Sequence, residues 1–281
     1  MNSCWASFES YGLRSIGIGE ALLPKSGIAL CDQLALIGGG LVWNFYFAFL
    51  AIAIGFGLAL AIALARVSPW AVLRRPANAF IFVFRGSPLF LQFFFAYELF
   101  SVLPPLPFSF ELGPISLGEQ QRFLTKSWSG GLLVLICNTA AYSAEIFSGA
   151  YKAVPHTDIE AANAYGMNAT QRFQKVIWPS MLRLAWPSYV NEMIFLFHAT
   201  TLVFIASFPV WQRMGDALYY ARYLAEQTFN PFIPYPIVAV YFMLVTLTII
   251  AVTNRISARL NRHLNTAPLT PRWGWATRWW R

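Results

Sequence analysis

Four ionisable side chains stand inside long apolar stretches of this chain: Glu98, Glu145, Glu192 and His198. Charge within a hydrocarbon layer is expensive, so each such group is a functional candidate by default. Buried carboxylates can hold a cation or relay a proton, and an imidazole can donate to a carboxylate or accept from a cation. Glu192 and His198 are six positions apart, on different faces of a helix and roughly 9 Å apart along it. Each group also has a plainer reading. Glu145 can pair with Lys152 or Arg85, Glu192 with a structural partner, and His198 can be a hydrogen-bonded packing residue.

The elements that position these groups follow from composition. Of 281 residues, 57% are hydrophobic, 17% aromatic and only 11% charged, against about 25% charged in soluble chains. The mean hydropathy is +0.52, and the apolar residues fall in long blocks. Disorder, a collagen-like chain and a disulfide scaffold are excluded, and a soluble enzyme is disfavoured. The chain reads as an all-α integral membrane protein. A spanning helix takes roughly 20 apolar residues, and five spans are expected, near 42–65, 80–103, 132–151, 189–211 and 235–255. In the second, Arg85-Gly86-Ser87-Pro88 interrupts the run, so either Arg85 snorkels at the interface or a separate interfacial segment precedes the span.

The net charge of +8 does not point to nucleic acid, because the positives sit at the ends of apolar blocks and no basic surface interleaved with stacking aromatics occurs. Six Lys and Arg fall in the N-terminal part and the loops near 104–128 and 212–234; thirteen fall on the other side, among them Arg66, Arg74, Arg75, Lys152 and the C-terminal tail. The positive-inside rule then places the N-terminus outside and the C-terminus in the cytoplasm. Residues 1–34 read as an uncleaved external extension, 35–260 as the membrane domain and 261–281 as a cytoplasmic basic and aromatic tail that anchors at the interface. Cys137 lies in an apolar segment and is expected to pack there. Cys4 and Cys31 can pair if both face an oxidising compartment; the sequence leaves this open. Ala51, Gly55, Ala59 and Ala63 form a small-residue stripe, read as a packing face within the chain or, alternatively, as a subunit contact.

Between the third and fourth spans runs His156-Thr157-Asp158-Ile159-Glu160-Ala161-Ala162-Asn163-Ala164-Tyr165-Gly166. Thr157 or Asp158 can cap a helix here, Glu160 favours its first turn, and Gly166 can end it in a left-handed conformation. A second helix is expected from about Thr170 to Ile177, ended by Pro179. A helix, a sharp turn and a helix projecting from a membrane protein suit docking. Glu160-Ala161-Ala162, Gly166, Val176 and Trp178-Pro179 resemble the EAA loop of ABC-importer permeases, with Val for Ile and Trp for Leu. Phe84-Arg85-Gly86-Ser87-Pro88-Leu89 resembles the FRGTPL segment of polar amino-acid permeases. Asn138 to Phe147 resembles their NTxAYxxEIF stretch, and Pro187, Tyr189, Asn191 and Glu192 their P-x-Y-x-NE stretch. Val154-Pro155-His156, Ala164-Tyr165-Gly166 and Leu196 to Thr200 are similar to the histidine/lysine/arginine and opine branch. Thr157, Asp158 and Asn163 depart from that branch.

The resemblance covers roughly 35–260 and implies a type I ABC-importer permease: five spans with a cytoplasmic helix-turn-helix coupling loop. It implies two cytoplasmic ATPase subunits that use ATP and magnesium, an external solute-binding protein and a second, similar permease, which favours a heterodimer over a homodimer. Glu160, Ala161, Ala162, Gly166 and Pro179 would form the coupling loop. Asn191, Glu192, His198 and Glu145 are candidates for the substrate pathway, with Glu192 facing a cationic side chain and Asn191 or His198 the solute's carboxylate. The implied solute is a basic amino acid or an opine, crossing a bacterial inner membrane. No catalytic residue, metal cluster or cofactor of the chain's own is expected, since GxxxxGK[ST], HExxH and Gly-x-Ser-x-Gly are all missing. An ion-coupled secondary transporter using Glu145 or Glu192 is the rival; five spans without an internal repeat speak against it.

Overall fold

The computed structural model describes residues 4–16, 23–25, 27–102, 111–112, 115–116, 127–206 and 215–260. Two short helices, α1 (Cys4–Ser7) and α2 (Leu13–Ser15), flank a π-helical turn, and α3 (Leu30–Val67) follows. Next come α4 (Ala71–Gly86), α5 (Leu89–Val102), a minimal antiparallel pair of strands at Glu111–Leu112 and Ile115–Ser116, and α6 (Ser127–Lys152). Then come α7 (His156–Ala164), α8 (Ala169–Arg172) and α9 (Trp178–Ala199), with a π-helical segment at Phe173–Ile177 between the last two. After α9, a 3-10 segment at Thr200–Ala206 precedes α10 (Ala217–Thr228) and α11 (Pro234–Leu260).

Three of these helices, α3, α6 and α11, are long and apolar enough to cross a membrane. The pair α4 and α5 passes the same test only as one broken unit, bent by 101°. Of the two readings of the Arg85–Pro88 interruption, the separate segment is the one observed: α4 stops at Gly86 and the chain turns sharply before Leu89. The fourth expected span is displaced. Helix α9 begins at Trp178 instead of about Tyr189, and its α-helical part ends at Ala199; residues 207–211 of that expectation, like 103 and the tail 261–281, lie outside the described residues. Pro179 does not end a helix. The backbone stays helical from Ala169 to Ala199, and Trp178 N–H bonds back five residues to the Phe173 carbonyl. This π turn shifts the hydrogen-bond ladder just before the proline, whose missing N–H and ring would otherwise disturb it. Helix α10 was not expected at all.

Three apolar clusters stack along the bundle. Phe47, Phe93, Leu135, Leu196 and Val203 form one; Ala59, Ala63, Ala140, Ala144, Phe147 and Met181 another; Leu36, Ile37, Phe197, Tyr220 and Leu224 the third. The stripe Ala51, Gly55, Ala59 and Ala63 is buried throughout, packed inside the chain as its plainer reading held. At Gly55 an added Cβ would stand 2.5 Å from Thr139 Cγ2 of α6. Gly55→Leu is therefore expected to lower stability by about 1–3 kcal/mol, the usual effect of overpacking. A thermal-unfolding midpoint in detergent checks this, and an unchanged midpoint would show that α3 and α6 can separate freely.

The N-terminal segment is tied to the bundle. Cys4 and Cys31 form a disulfide, with Cα atoms 5.2 Å apart, which resolves the pairing the sequence left open. Trp43 Nε1 donates to the Ser15 carbonyl at 2.9 Å, and Tyr223 Oη donates to the Pro24 carbonyl at 3.0 Å.

Candidate functional site

Helix α6 collects one polar centre of the bundle. The sharp turn between α4 and α5 strips backbone carbonyls of helical partners, and buried carbonyls need donors. Gln92 Nε2 donates to the Phe84 carbonyl at 2.8 Å and the Ser87 carbonyl at 3.0 Å, while Asn138 Nδ2 of α6 reaches Phe84 at 3.2 Å. One residue further on, Arg85 Nη1 pairs with Glu145 Oε2 at 2.7 Å, and its guanidinium lies 5.1 Å over the Tyr142 ring. The same carboxylate oxygen receives Arg66 Nη1 from the end of α3, and Arg66 also donates to Ser148 Oγ at 3.1 Å. Thr139 Oγ1 donates to Glu192 Oε1 of α9 at 3.4 Å. Tyr189 stacks near Phe147, ring centroids 5.3 Å apart.

Three sequence motifs far apart in the chain thus meet on one helix. The Phe84–Leu89 segment makes the break, the Asn138–Phe147 segment satisfies it, and the segment containing Tyr189 and Glu192 closes from the other side. Two arginines share one carboxylate, leaving a net positive charge in an open polar recess that Asn78, Tyr142 and Gly86 also line. Such a recess can hold an anion, because guanidinium forks match a carboxylate.

The candidates named from sequence do not form one site. Glu145 sits with Arg85, one of its two expected partners, and with Arg66, which was read only as an orientation signal; Lys152 is not its partner. Glu192 is buried against Thr139. His198 Nε2 shares a hydrogen bond of 2.8 Å with Thr246 Oγ1 of α11, and its ring lies against Phe242. Asn191 and Glu98 are exposed on their helices.

A second polar centre escaped sequence reading. Asn44 of α3 donates to Thr200 Oγ1 at 3.0 Å and to Asp216 Oδ2 at 3.4 Å, and accepts from Ala217 N–H at 3.1 Å. Asp216 caps α10 by accepting from Tyr219 N–H at 2.9 Å. An Asp just before a helical run is a capping signal that could have located α10. At Gly40, an added Cβ would stand 2.7 Å from Ala217 N, so glycine lets α10 approach. Burial pushes the Asp216 carboxyl up to about 7, although the bonds from Tyr219 and Asn44 favour its ionised form. Its ordinary value is near 3.8. The folded chain therefore keeps a proton that the unfolded chain releases. Stability from this group is full below about pH 4 and is lost as pH rises through about 7. Asp216→Ser keeps a capping oxygen but does not titrate, so it is expected to flatten this slope. Unfolding midpoints at about pH 5, early in this window, and at about pH 8, beyond it, check the slope; an unaltered slope would assign the pH dependence elsewhere.

At the other end, the connection between α6 and α9 folds as a helix, a sharp turn and a second helix. Helix α7 starts at His156 after Pro155, so neither Thr157 nor Asp158 is its cap; Asp158 lies in the first turn and Glu160 one residue pair beyond. Proline at the boundary presets the backbone for helix entry, which moves the start earlier. The helix ends as its glycine requires. Gly166 has φ +70°, Met167 N–H bonds to the Ala162 carbonyl at 3.1 Å, and Gly166 N–H to the Asn163 carbonyl at 2.9 Å, a Schellman closure. Asn168 then caps α8 through Gln171 N–H at 2.9 Å. Arg172 Nη1 donates to Asn163 Oδ1 across the turn, which gives a structural role to one departure from the family pattern. Ala162 is buried and Ile159 packs on the core. Glu160, Ala161, Ala164 and Tyr165 are exposed, Tyr165 at 84%. Glu160 has no ion pair among the described residues.

Comparison with known proteins adds the following. Residues 37–266 match the family described as binding-protein-dependent transport system inner membrane component. Over 204 residues the chain is 34% identical to HisM of Salmonella typhimurium, the histidine/lysine/arginine/ornithine transport system permease protein, spanning 71% of this chain and 79% of that protein. Over 137 residues it is 37% identical to OccM of Rhizobium radiobacter, the octopine transport system permease protein, spanning 49% and 52% respectively. A chain from the crystal structure of an amino acid ABC transporter with histidines superposes with a TM-score of 0.66 at 25% identity, over 83% of this chain and 100% of that one.

Proposed function

The chain belongs to the binding-protein-dependent transport system inner membrane components, and from that premise we propose that it is the membrane subunit of an ABC importer carrying a basic amino acid or an opine. The observation that carries the reading is the exposed, Schellman-closed loop at Glu160–Gly166 joined through one helical run to a bundle with a polar centre gathered on α6. Similarity to proteins named for histidine, lysine, arginine, ornithine and octopine transport supports the solute class.

In this reading the chain hydrolyses nothing itself. Two partner ATPase subunits bind ATP and magnesium and receive Glu160, Ala161, Ala162 and Gly166 in a groove. A second, similar permease completes the pathway as a heterodimer, and an external binding protein delivers the solute. With α9 counted as a span beside α3, the α4–α5 pair, α6 and α11, five spans put the N-terminus outside and the C-terminus in the cytoplasm of a bacterial inner membrane. A disulfide near the N-terminus suits an oxidising outer compartment. ATP binding then tilts the loop and biases the bundle between two access states.

Within the pathway, Glu192 and the recess of Arg66, Arg85 and Glu145 take opposite ends of a zwitterion: Glu192 the cationic side chain, the arginine surplus the carboxylate. Glu192→Gln is expected to weaken uptake of cationic solutes about tenfold, the worth of one charged hydrogen bond, with neutral solutes spared. Equal loss for both would remove Glu192 from the pathway. His198 is held by Thr246 instead, and Asn191 is exposed on its helix.

The test of the whole reading is purification of the chain from its own membrane in mild detergent, with identification of what accompanies it. Recovery of an ATPase subunit and ATP-dependent uptake after reconstitution are expected. Recovery of the chain alone, with uptake driven by a proton gradient, would favour the secondary transporter instead.

A further inference from the structure

At the end of the bundle that carries the docking loop, a groove of about 490 Å³ opens between α3, α6, α9 and α11. Its walls are Phe56, Phe147, Trp178, Leu182, Tyr189 and Ile256, and its single charged lining residue is Arg183. Arg183 is exposed and has no ion pair among the described residues. Ile256 on the opposite wall is followed one helical turn later by Arg259, also exposed, on the same face of α11. The indole N–H of Trp186, another lining residue, is buried without an acceptor among the described residues.

An almost wholly apolar groove in a membrane-embedded bundle excludes a nucleotide or a free polar solute as its occupant. A hydrocarbon chain suits such walls, and the unpaired guanidinium that lines the groove favours negative charge. The chain's own tail is a poor fit, because Arg272, Arg278 and Arg281 would bring like charge to Arg183. A second copy would cover the apolar wall without answering the cation. We propose that the groove binds one anionic phospholipid, with an acyl chain between Phe56 and Ile256 and its phosphodiester at Arg183 and Arg259. Basic recesses between spans on the cytoplasmic side suit anionic headgroups. The placement in the cytoplasmic leaflet rests on the orientation proposed above. Because Trp178 lines the groove and directly follows the π turn below the docking loop, the lipid braces the base of α9 against α11.

Native mass spectrometry of the purified full chain, with dioleoyl phosphatidylglycerol and dioleoyl phosphatidylcholine in competition, tests the proposal. The expected result is preferential retention of one phosphatidylglycerol. Arg183→Gln and Arg259→Gln should each weaken that preference about fivefold, the effect of one basic residue near an anionic surface. Ile256→Trp should displace either lipid by filling the groove. Equal retention of the two lipids, retention indifferent to all three variants, or full displacement by inorganic phosphate would overturn the site. So would disulfide cross-linking of Ile256→Cys between two copies, which would make the groove a subunit contact. Lipid retention is read without transport, so its failure leaves the importer reading untouched.

Discussion

Glu160→Lys is expected to abolish ATP-driven uptake by the reconstituted importer while the amount of chain in the membrane stays within about twofold of normal. The second half of that expectation comes from the fold. Glu160 is exposed, has no ion pair among the described residues, and contributes nothing to the Gly166 closure, which is made by backbone groups of Ala162, Asn163, Gly166 and Met167. The first half follows from docking. Reversing a charge that is seated against a partner costs on the order of 2–5 kcal/mol, a factor of roughly thirty or more in association. Gly166→Val acts differently, because a β-branched residue at φ +70° is strained by roughly 1–2 kcal/mol. It should loosen the turn, and uptake should fall by about tenfold with ATPase binding partly kept. Uptake and ATP hydrolysis measured side by side separate the two. Loss of the membrane protein itself in Glu160→Lys would leave α7 a folding element, with no docking role.

The second large effect is expected at Glu145. Glu145→Gln removes the carboxylate shared by Arg66 and Arg85 and leaves two guanidiniums facing one another at the turn between α4 and α5. Fully buried pairs broken in this way lose about 3–5 kcal/mol. The Glu145 side chain is 36% exposed, so solvent screening reduces the stability loss to about 1–2 kcal/mol. Transport should suffer more, by roughly tenfold or beyond, because Arg85 also holds the α4–α5 turn against Tyr142. Adding Arg66→Gln should restore part of the lost stability, since one uncompensated cation is then gone. Melting midpoints of the two single variants and the double variant give the coupling directly. If the double variant is merely the sum of the singles, Arg66 and Glu145 do not act as a pair.

How much of this was legible in the sequence depends on what each residue had to announce. Helices α3, α6 and α11 were legible because each is long and apolar enough to cross a bilayer, α6 in spite of its polar groups. The turn at Arg85–Pro88 was legible because glycine, serine and proline in succession rarely continue a helix. Helix α9 was misplaced because Pro179, Arg183 and Pro187 make its first half look like a loop; only the backbone reveals that a π turn carries the helix past Pro179. The loop glycine was readable since its left-handed conformation suits no other residue so well. The start of α7 was not, because two capping residues competed with Pro155. Of the polar centres, Glu145 could be marked as important and Arg85 named as a partner. Arg66 could not, since an arginine at a helix end already had an explanation in the orientation rule. Asn44 was invisible: one amide in an apolar run says nothing until Thr200 and Asp216, more than 150 positions away, come to face it.

The unbroken helical path from Ala169 through the π turn to Ala199 has a mechanical corollary. Its length is on the order of 46 Å at α-helical rise, with the Gly166 turn beside one end and the environment of Glu192 and His198 toward the other. A rigid rod of that length works as a lever, and a tilt of about 10° about its foot sweeps the far tip through roughly 8 Å. In the importer proposed above, a small rocking of the foot therefore displaces the surroundings of Glu192 and His198. The π turn and Pro179 place the lever's softest points near the fulcrum, where bending absorbs stroke. Stiffening that stretch should therefore lengthen the throw, and loosening it should waste the push delivered from below.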